Sequence, residues 1–420
     1  MTEGTAPARP VSYDKRVGLV LQGGGALGSY QAGVYEALAS SEYAPDWVAG
    51  ISIGAINAAI IAGNAPKDRV HALRSFWQEI TAPTKLWPHA TGALATWQRW
   101  TSAVMAIAFG QPGFFSPSSQ AWGPSDKRIS YYSTSALKAT LERLVDFDRI
   151  NDGKEMRLSV GAVNVETGDF TYFDSREMTI GVEHVMASGA LPPSFPPVEI
   201  DGEQYWDGGL FSNTPLQYMV DYYPRRSRVI FQVDLFPAHA RHRPTNLDEV
   251  NEREKDIRYS SRTRSATNML RERHDIRYAI NQLHKLLPPE IAGTDQARRL
   301  YEHGCVTTMD IVQLIYRPDE PQGSLKDFEF SRPTMELRWQ QGLADARTTL
   351  QASPWLAPMP SELGVRLFDV IHNTLCRKVA RSEKATIGKA HIVIADKISG
   401  SLAYSRAKAR TLRDHREARS

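Results

Sequence analysis

Three clusters of residues in this 420-residue chain could do chemistry together. The first is Gly50-Ile51-Ser52-Ile53-Gly54, set between the apolar run Trp47-Val48-Ala49 and an apolar helical stretch running to Ile61. A serine on a sharp strand-to-helix turn needs neighbours without a Cβ, here Gly50 and Gly54. Its hydroxyl then stands at the top of a sheet over the positive end of a helix dipole, where an oxyanion is favoured. The second cluster is Gln22-Gly23-Gly24-Gly25-Ala26-Leu27-Gly28, whose unhindered N–H groups can hold an anion. The third is Asp207, which ends the aromatic stretch Tyr205-Trp206 and precedes Gly208 and Gly209, two residues that admit a second backbone close by. The chemistry this combination suits is acyl transfer: Ser52 as nucleophile, Asp207 as its base, and Gly23, Gly24 and Gly25 as the oxyanion hole. Gly28, Gly50, Gly54, Gly208 and Gly209 supply the tight backbone around them.

Each cluster has a rival explanation. Gly-x-Ser-x-Gly is also what a serine-capped helix start with close-packing glycines looks like. The spacing Gly23-x-Gly25-x-x-Gly28 matches a dinucleotide fingerprint, which would make the chain an oxidoreductase. That reading needs an acid at the far end of the second strand, whereas Asp46 precedes Trp47-Val48-Ala49 and the strand delivers Ser52. A Ser-His-Asp esterase would draw its histidine from His239 or His242, after Asp207 in the order of α/β-hydrolases. A non-catalytic scaffold is a further alternative. An aspartate base also has to be made stronger than usual. Its ordinary pKa near 3.9 lies well below that of imidazole near 6.5, so Asp207 requires a dehydrated or hydrogen-bonded setting.

The elements that would position these groups follow from the apolar patterning. Val17–Leu21 reads as a strand and Ser29–Leu38 as a helix, so strand, glycine loop and helix follow in order. Val70, Leu73, Phe76, Trp77 and Ile80 recur at helical spacing. An aromatic-rich insertion, about 84–125, contains Trp87, Trp97, Trp100, Phe109, Phe114, Phe115 and Trp122 and suggests a lid, an acyl groove or an interfacial anchor. Ser159–Val165 and Phe170–Phe173 form a hairpin, Asp201-Gly202 turns a second one, and Val229–Leu235 is a further strand. His184 falls between these pieces and is assigned a structural place.

Composition limits the alternatives. Hydrophobic residues at 42% and charged residues at 23% describe an ordinary globular chain, and a net charge of +3 does not point to nucleic acid. There is no apolar run of membrane-spanning length. Met1–Arg16 reads as a flexible lead with no signal-peptide core, and Cys305 and Cys376 suggest neither disulfide nor zinc, so a cytoplasmic location is expected. No cofactor or metal is expected.

The order of these motifs over Val17–Tyr222 resembles the patatin-like phospholipases. The resemblance includes the glycine loop, Ser52, the stretch Ala187-Ser188-Gly189-Ala190-Leu191-Pro192-Pro193-Ser194-Phe195-Pro196-Pro197, Asp207-Gly208-Gly209 and Asn213-Thr214-Pro215. It implies a three-layer α/β/α fold with a mainly parallel central sheet and a Ser–Asp dyad that cleaves lipid acyl esters. The chain departs from many relatives at Leu27, where they carry Arg or Lys. Residues 17–236 would then be the catalytic domain. Residues 237–376 resemble the C-terminal extension of a bacterial branch of the family.

Within that extension, residues 237–288 read as charged helix with an apolar stripe of Met269, Leu270, Ile276, Ile280, Leu283 and Leu287. Val306–Tyr316 and Phe328-Glu329-Phe330 read as strands adding an edge or a cap to the sheet, and Ser331 as the cap of a helix reaching Leu350. Residues 377–420 hold 12 Lys or Arg against 4 Asp or Glu, a basic tail suited to anionic lipid headgroups. The expected partners are a lipid or ester substrate and a peripherally contacted membrane.

Overall fold

The computed structural model of the chain describes residues 6–81, 93–118 and 129–372. Two compact units divide the chain, Met1–Phe368 and Asp369–Ser420, and every element below belongs to the first. Its strands are β1 (Arg16–Leu21), β2 (Trp47–Gly50), β3 (Ser116–Pro117), β4 (Tyr132–Ser133), β5 (Arg157–Asn164), β6 (Phe170–Asp174), β7 (Val198–Ile200), β8 (Glu203–Asp207), β9 (Arg228–Asp234), β10 (Met309–Ile315) and β11 (Val365–Phe368). The helices up to the middle of the chain are α1 (Ser29–Ala39), α2 (Ile53–Ala62), α3 (Arg69–Glu79), α4 (Ala93–Phe109), α5 (Ser135–Leu144), α6 (Phe147–Asp152), α7 (Val182–Ser188) and α8 (Leu216–Asp221). After these come α9 (Leu247–Leu286), α10 (Pro289–Ala292), α11 (Asp295–Glu302) and α12 (Arg332–Ala352).

The main sheet runs β11-β10-β9-β1-β2-β5-β8-β7, with β6 paired to β5. Its first six strands are parallel; β6 and β8 lie antiparallel to β5, and β7 antiparallel to β8. Strand alternation sends side chains to two cores. Leu19, Leu21, Phe231 and Val233 face the larger core under α1, α2 and α12, while Val20 and Ile230 face a second with α8 and α9. Helices on both faces of a mainly parallel sheet make the three-layer α/β/α fold. Among the described residues no helix is long and apolar enough to cross a membrane.

Chain from the expected extension is built into this same unit, since β10 and β11 lengthen the sheet beyond β9. Two expectations there need correction. Phe328-Glu329-Phe330 is not a strand: Lys326–Phe328 is a 3-10 turn, and the strand beside β10 is Val365–Phe368. The cause is Arg338, whose guanidinium takes the carbonyls of Lys326 and Glu329 that a sheet partner would need.

The apolar stripe expected on α9 is also not its buried face. Met269, Ile276 and Leu283 are exposed, whereas Glu252, Asp256, Ser260, Thr263, Thr267, His274 and Asn281 are buried with Leu270. Hydrogen bonding makes polar burial tolerable here. Thr263 receives Gln22 Nε2 at 2.9 Å, and Glu252 receives the N–H groups of Gln322 and Gly323. Trp87 and Trp122 of the aromatic insertion, and the basic tail, lie outside the described residues.

Candidate active site

β1 and β2 are adjacent and in register from Gly18–Trp47 to Leu21–Gly50, so both strands end at the same edge. The glycine loop leaves from one and Ser52 from the other. Ser52 has φ 57° and ψ −127°, a conformation an L-residue adopts only under constraint, and α2 begins at the next residue. The turn closes because Gly54 has no side chain: a Cβ there would run into the carbonyl of Leu21, and one on Gly50 into that of Gly54. Ser188 fixes the turn from outside. Its carbonyl and its hydroxyl both accept the Ser52 N–H at 3.1 Å, and its own hydroxyl donates to Gly161 O at 2.6 Å.

Asp207 ends β8, which the β5 register brings to the site by pairing Ala162 with Asp207. It is buried, accepts the N–H of Gly209 at 2.7 Å, and has the Ser52 side chain in its pocket, near enough to lower its pKa. Burial pushes the Asp207 carboxyl up to about 7; the hydrogen bonds from Ser52 and Gly209 act in the opposite direction but do not outweigh it. The dehydrated setting that an aspartate base needs is therefore present.

Ser52, Asp207, Gly23, Gly24 and Gly25 line one pocket, whose walls include Phe114, Phe115, Phe195 and Phe330. The three loop glycines are not equivalent. Gly23 donates its N–H to Asn213 O at 3.3 Å and accepts from Asn213 Nδ2 at 3.1 Å, whereas the N–H groups of Gly24 and Gly25 have no partner among the described residues. Of the three loop amides, that of Gly23 is thus taken and those of Gly24 and Gly25 are open. Gly25, with φ 55°, sits so close under the carbonyl of Asp327 that a Cβ would collide with it. Leu27 is wholly buried, and the cation at this loop comes instead from α12, where Arg338 donates to Ala26 O at 3.1 Å. Gly28 packs against Ile53 and Trp77, and Gly208 against Gly161 O.

Four residues at the site received no role from the sequence. Ser188 and Asn213 were visible inside their motifs, but nothing in the spacing says which atoms they hold. Tyr259 of α9 and Asp327 line the pocket from more than fifty residues downstream of Asp207. Burial, and then the negative charges of Asp327 and Asp207, raise the Tyr259 hydroxyl above its ordinary pKa, so it stays protonated.

The histidine and dinucleotide readings find no support in this geometry, and Ser52, although it stands at the N-cap of α2, makes no side-chain capping bond. No histidine lines the pocket among the described residues; His239 and His242 line a different one, where His242 Nε2 meets Asp319 O at 3.1 Å. His184 is buried and accepts the Gly181 N–H, and burial lowers its pKa. Asp46 lies at the opposite end of the sheet from the glycine loop and pairs with Arg228 at 3.0 Å.

Residues 19–220 match a family model described as patatin-like phospholipase, and residues 257–362 match a second described as patatin phospholipase. No curated protein matches the chain. Among solved structures, VipD from Legionella pneumophila is 16% identical over 83% of this chain and 70% of its own, with a TM-score of 0.38. The ExoU-SpcU complex from the type III secretion system of Pseudomonas aeruginosa is 17% identical over 70% and 66%, with a TM-score of 0.27. Human GIVD cytosolic phospholipase A2 is 12% identical over 80% and 59%, with a TM-score of 0.34. The two matched stretches together span well over half of the polypeptide, and on that ground the chain belongs to the patatin-like phospholipase family of lipid acyl hydrolases.

Proposed function

We propose that the chain cleaves lipid carboxylic esters through an acyl-enzyme on Ser52, with Asp207 as the base. The observation that carries this reading is that Ser52 shares a pocket with a buried carboxylate, Asp207, which burial has raised to about 7 and on which the Ser52 side chain acts. Ionised Asp207 accepts the Ser52 proton as Oγ bonds to the ester carbonyl carbon. The N–H groups of Gly24 and Gly25 receive the oxyanion of the tetrahedral intermediate. When the C–O bond breaks, Asp207 returns the proton to the leaving alkoxide. Water then gives a proton to Asp207 as its oxygen bonds to the acyl carbon, and when the bond from that carbon to Ser52 Oγ breaks, Asp207 returns the proton to Ser52, releasing the carboxylic acid and restoring the dyad. The aromatic walls suit an acyl chain.

The dyad is tested by fluorophosphonate labelling of wild type, Ser52→Ala and Asp207→Asn, followed by a panel of lipid esters. Labelling of the wild type alone, with hydrolysis of at least one lipid ester, is expected. Labelling that survives in Ser52→Ala would end the proposal.

Peripheral contact with a lipid surface belongs to the same reading. Helix α4 has a single charge, Arg99, no acid, and exposed Trp97, Trp100, Met105 and Phe109. It packs beside the 326–328 turn that borders the pocket. Tryptophans exposed on such a helix suit the headgroup level of a bilayer.

A further inference from the structure

The opposite end of the sheet holds a cluster that ester hydrolysis does not use. β1, β5 and β9 each begin with an arginine, and register places Arg16 beside Arg228 and Arg157 beside Trp47. Parallel strands start at a common edge, so these groups collect where the strands begin, while Ser52 and the glycine loop emerge where they end. The six residues of β1 separate the two ends by about 20 Å.

With Lys154, Arg176 and Arg226, the three arginines line a cavity of about 220 Å³ whose lining contains two carboxylates, Asp46 and Glu155. Those two do not neutralise it. Asp46 is shared between Arg16 at 3.5 Å and Arg228 at 3.0 Å, and Glu155 is taken by Arg69 and Arg149 from outside the cavity. Lys154 has Asp152 at 2.8 Å, while the side chains of Arg176 and Arg226 make no ion pair among the described residues. Burial, together with the nearby charges of Arg157 and Arg176, lowers the pKa of Arg228 despite its pairing with Asp46.

Arg157 is the most constrained member. It is 4% exposed, and its Nε is held by both oxygens of Asp174 at 2.8 and 2.9 Å. Its guanidinium lies 3.8 Å from the ring centre of Trp47 and 3.5 Å from that of Tyr222. Stacking and pairing together fix the plane of the fork. Its Nη2 is nevertheless buried with no hydrogen-bond partner among the described residues. A buried guanidinium N–H left without an acceptor is a standing cost, which an anion bound beside Arg157 would remove once it reached Nη2.

We propose that this cavity binds a phosphate-monoester dianion. Guanidinium and ammonium groups reach it from three strands and from the segments before β5, after β6 and before β9. A tetrahedral phosphate offers three charged oxygens to donors arriving from several directions, where a planar carboxylate offers two. The same chemistry is presented by a free phosphate and by the headgroup of a phosphatidic-acid-type lipid, and the experiment separates the two sources.

The full chain is titrated with inorganic phosphate at low ionic strength, reading heat and Tm. It is also sedimented with vesicles of phosphatidylcholine alone, with added phosphatidic acid, or with added oleic acid as an anionic control lacking phosphomonoester. The informative variant is Arg176→Gln/Arg226→Gln, because both side chains are exposed and make no ion pair among the described residues. Arg157→Lys, with its fold checked by thermal unfolding, adds a buried position that keeps its charge but loses the fork. Phosphate binding weakened at least about tenfold in the double variant, with hydrolysis of a soluble ester unchanged, is the expected result. If phosphatidic acid vesicles are preferred over oleate vesicles and the double variant loses that preference, the source is a headgroup; phosphate binding without it assigns a soluble ligand. Neither heat, nor a Tm shift, nor a phosphatidic acid preference in the wild type would overturn the site, as would a double variant that binds like the wild type.

Discussion

A carboxyl pushed up to about 7 is half ionised near neutral pH, and its protonated half cannot accept a proton from Ser52. Hydrolysis of a short soluble ester should therefore fall as pH drops through about 7, measured as kcat/KM against pH. The same shift has a sign for stability. Folded Asp207 holds its proton more tightly than the unfolded chain, whose value lies near 3.8, so the native state loses stability as pH rises from about 4 to about 7 and then levels off. Asp207→Asn should thus gain on the wild type in thermal unfolding across that window, and a difference independent of pH would refute the assignment. Ser188 acts at one remove, by holding the strained serine. Removing its hydroxyl in Ser188→Ala leaves the carbonyl as the acceptor for the Ser52 N–H, and kcat should fall about tenfold with KM nearly unchanged.

Between residue and molecule, the segment around Lys326 decides whether the pocket has its far wall. The turn Lys326–Phe328 puts Asp327 over Gly25 and, with Phe330, closes the side of the pocket. It is tied down by charge: Lys326 is buried between Glu252 at 3.1 Å and Asp256 at 2.5 Å, and Lys255 reaches Asp327 at 2.7 Å. Burial raises the pKa of Asp256 even against the lysine, so little other solvation is present. Lys326→Met would leave two carboxylates buried without their cation. A loss of about 3–5 kcal/mol in urea unfolding is expected, with esterase activity falling in parallel. A stable and fully active variant would mean that α9 and this turn do not hold the site.

For the whole molecule, the question is how a buried ester bond in a lipid assembly reaches a pocket at the strand ends. The exposed aromatics of α4 flank the side of that pocket. Trp97→Ala/Trp100→Ala should lower partitioning onto phosphatidylcholine vesicles at least tenfold, since each tryptophan contributes roughly 1.5–3 kcal/mol of apolar burial at most. Hydrolysis of a soluble ester should be retained. Equal sedimentation of variant and wild type would remove α4 from lipid contact. The acyl chemistry proposed for Ser52 and the phosphate binding proposed for the arginine cavity would then lie at opposite ends of the strands of one mainly parallel sheet.

The sequence by itself determined what depends on neighbours in the chain. Gly50-Ser52-Gly54 specifies a strained turn because its constraint is local, and the apolar runs at 17–21, 47–50 and 229–233 specify buried parallel strands because both faces are covered. Tertiary structure alone decided the rest. Val365–Phe368 is a strand because β10 offers it a partner, and Phe328–Phe330 is not one because Arg338 holds the Glu329 carbonyl at its centre. The buried face of α9 is polar because hydrogen bonds, which leave no hydrophobic period, replace apolar contact there. The loop amides differ because Asn213 occupies that of Gly23, and the arginines of β1, β5 and β9 line one cavity because strand register brings their starting ends together.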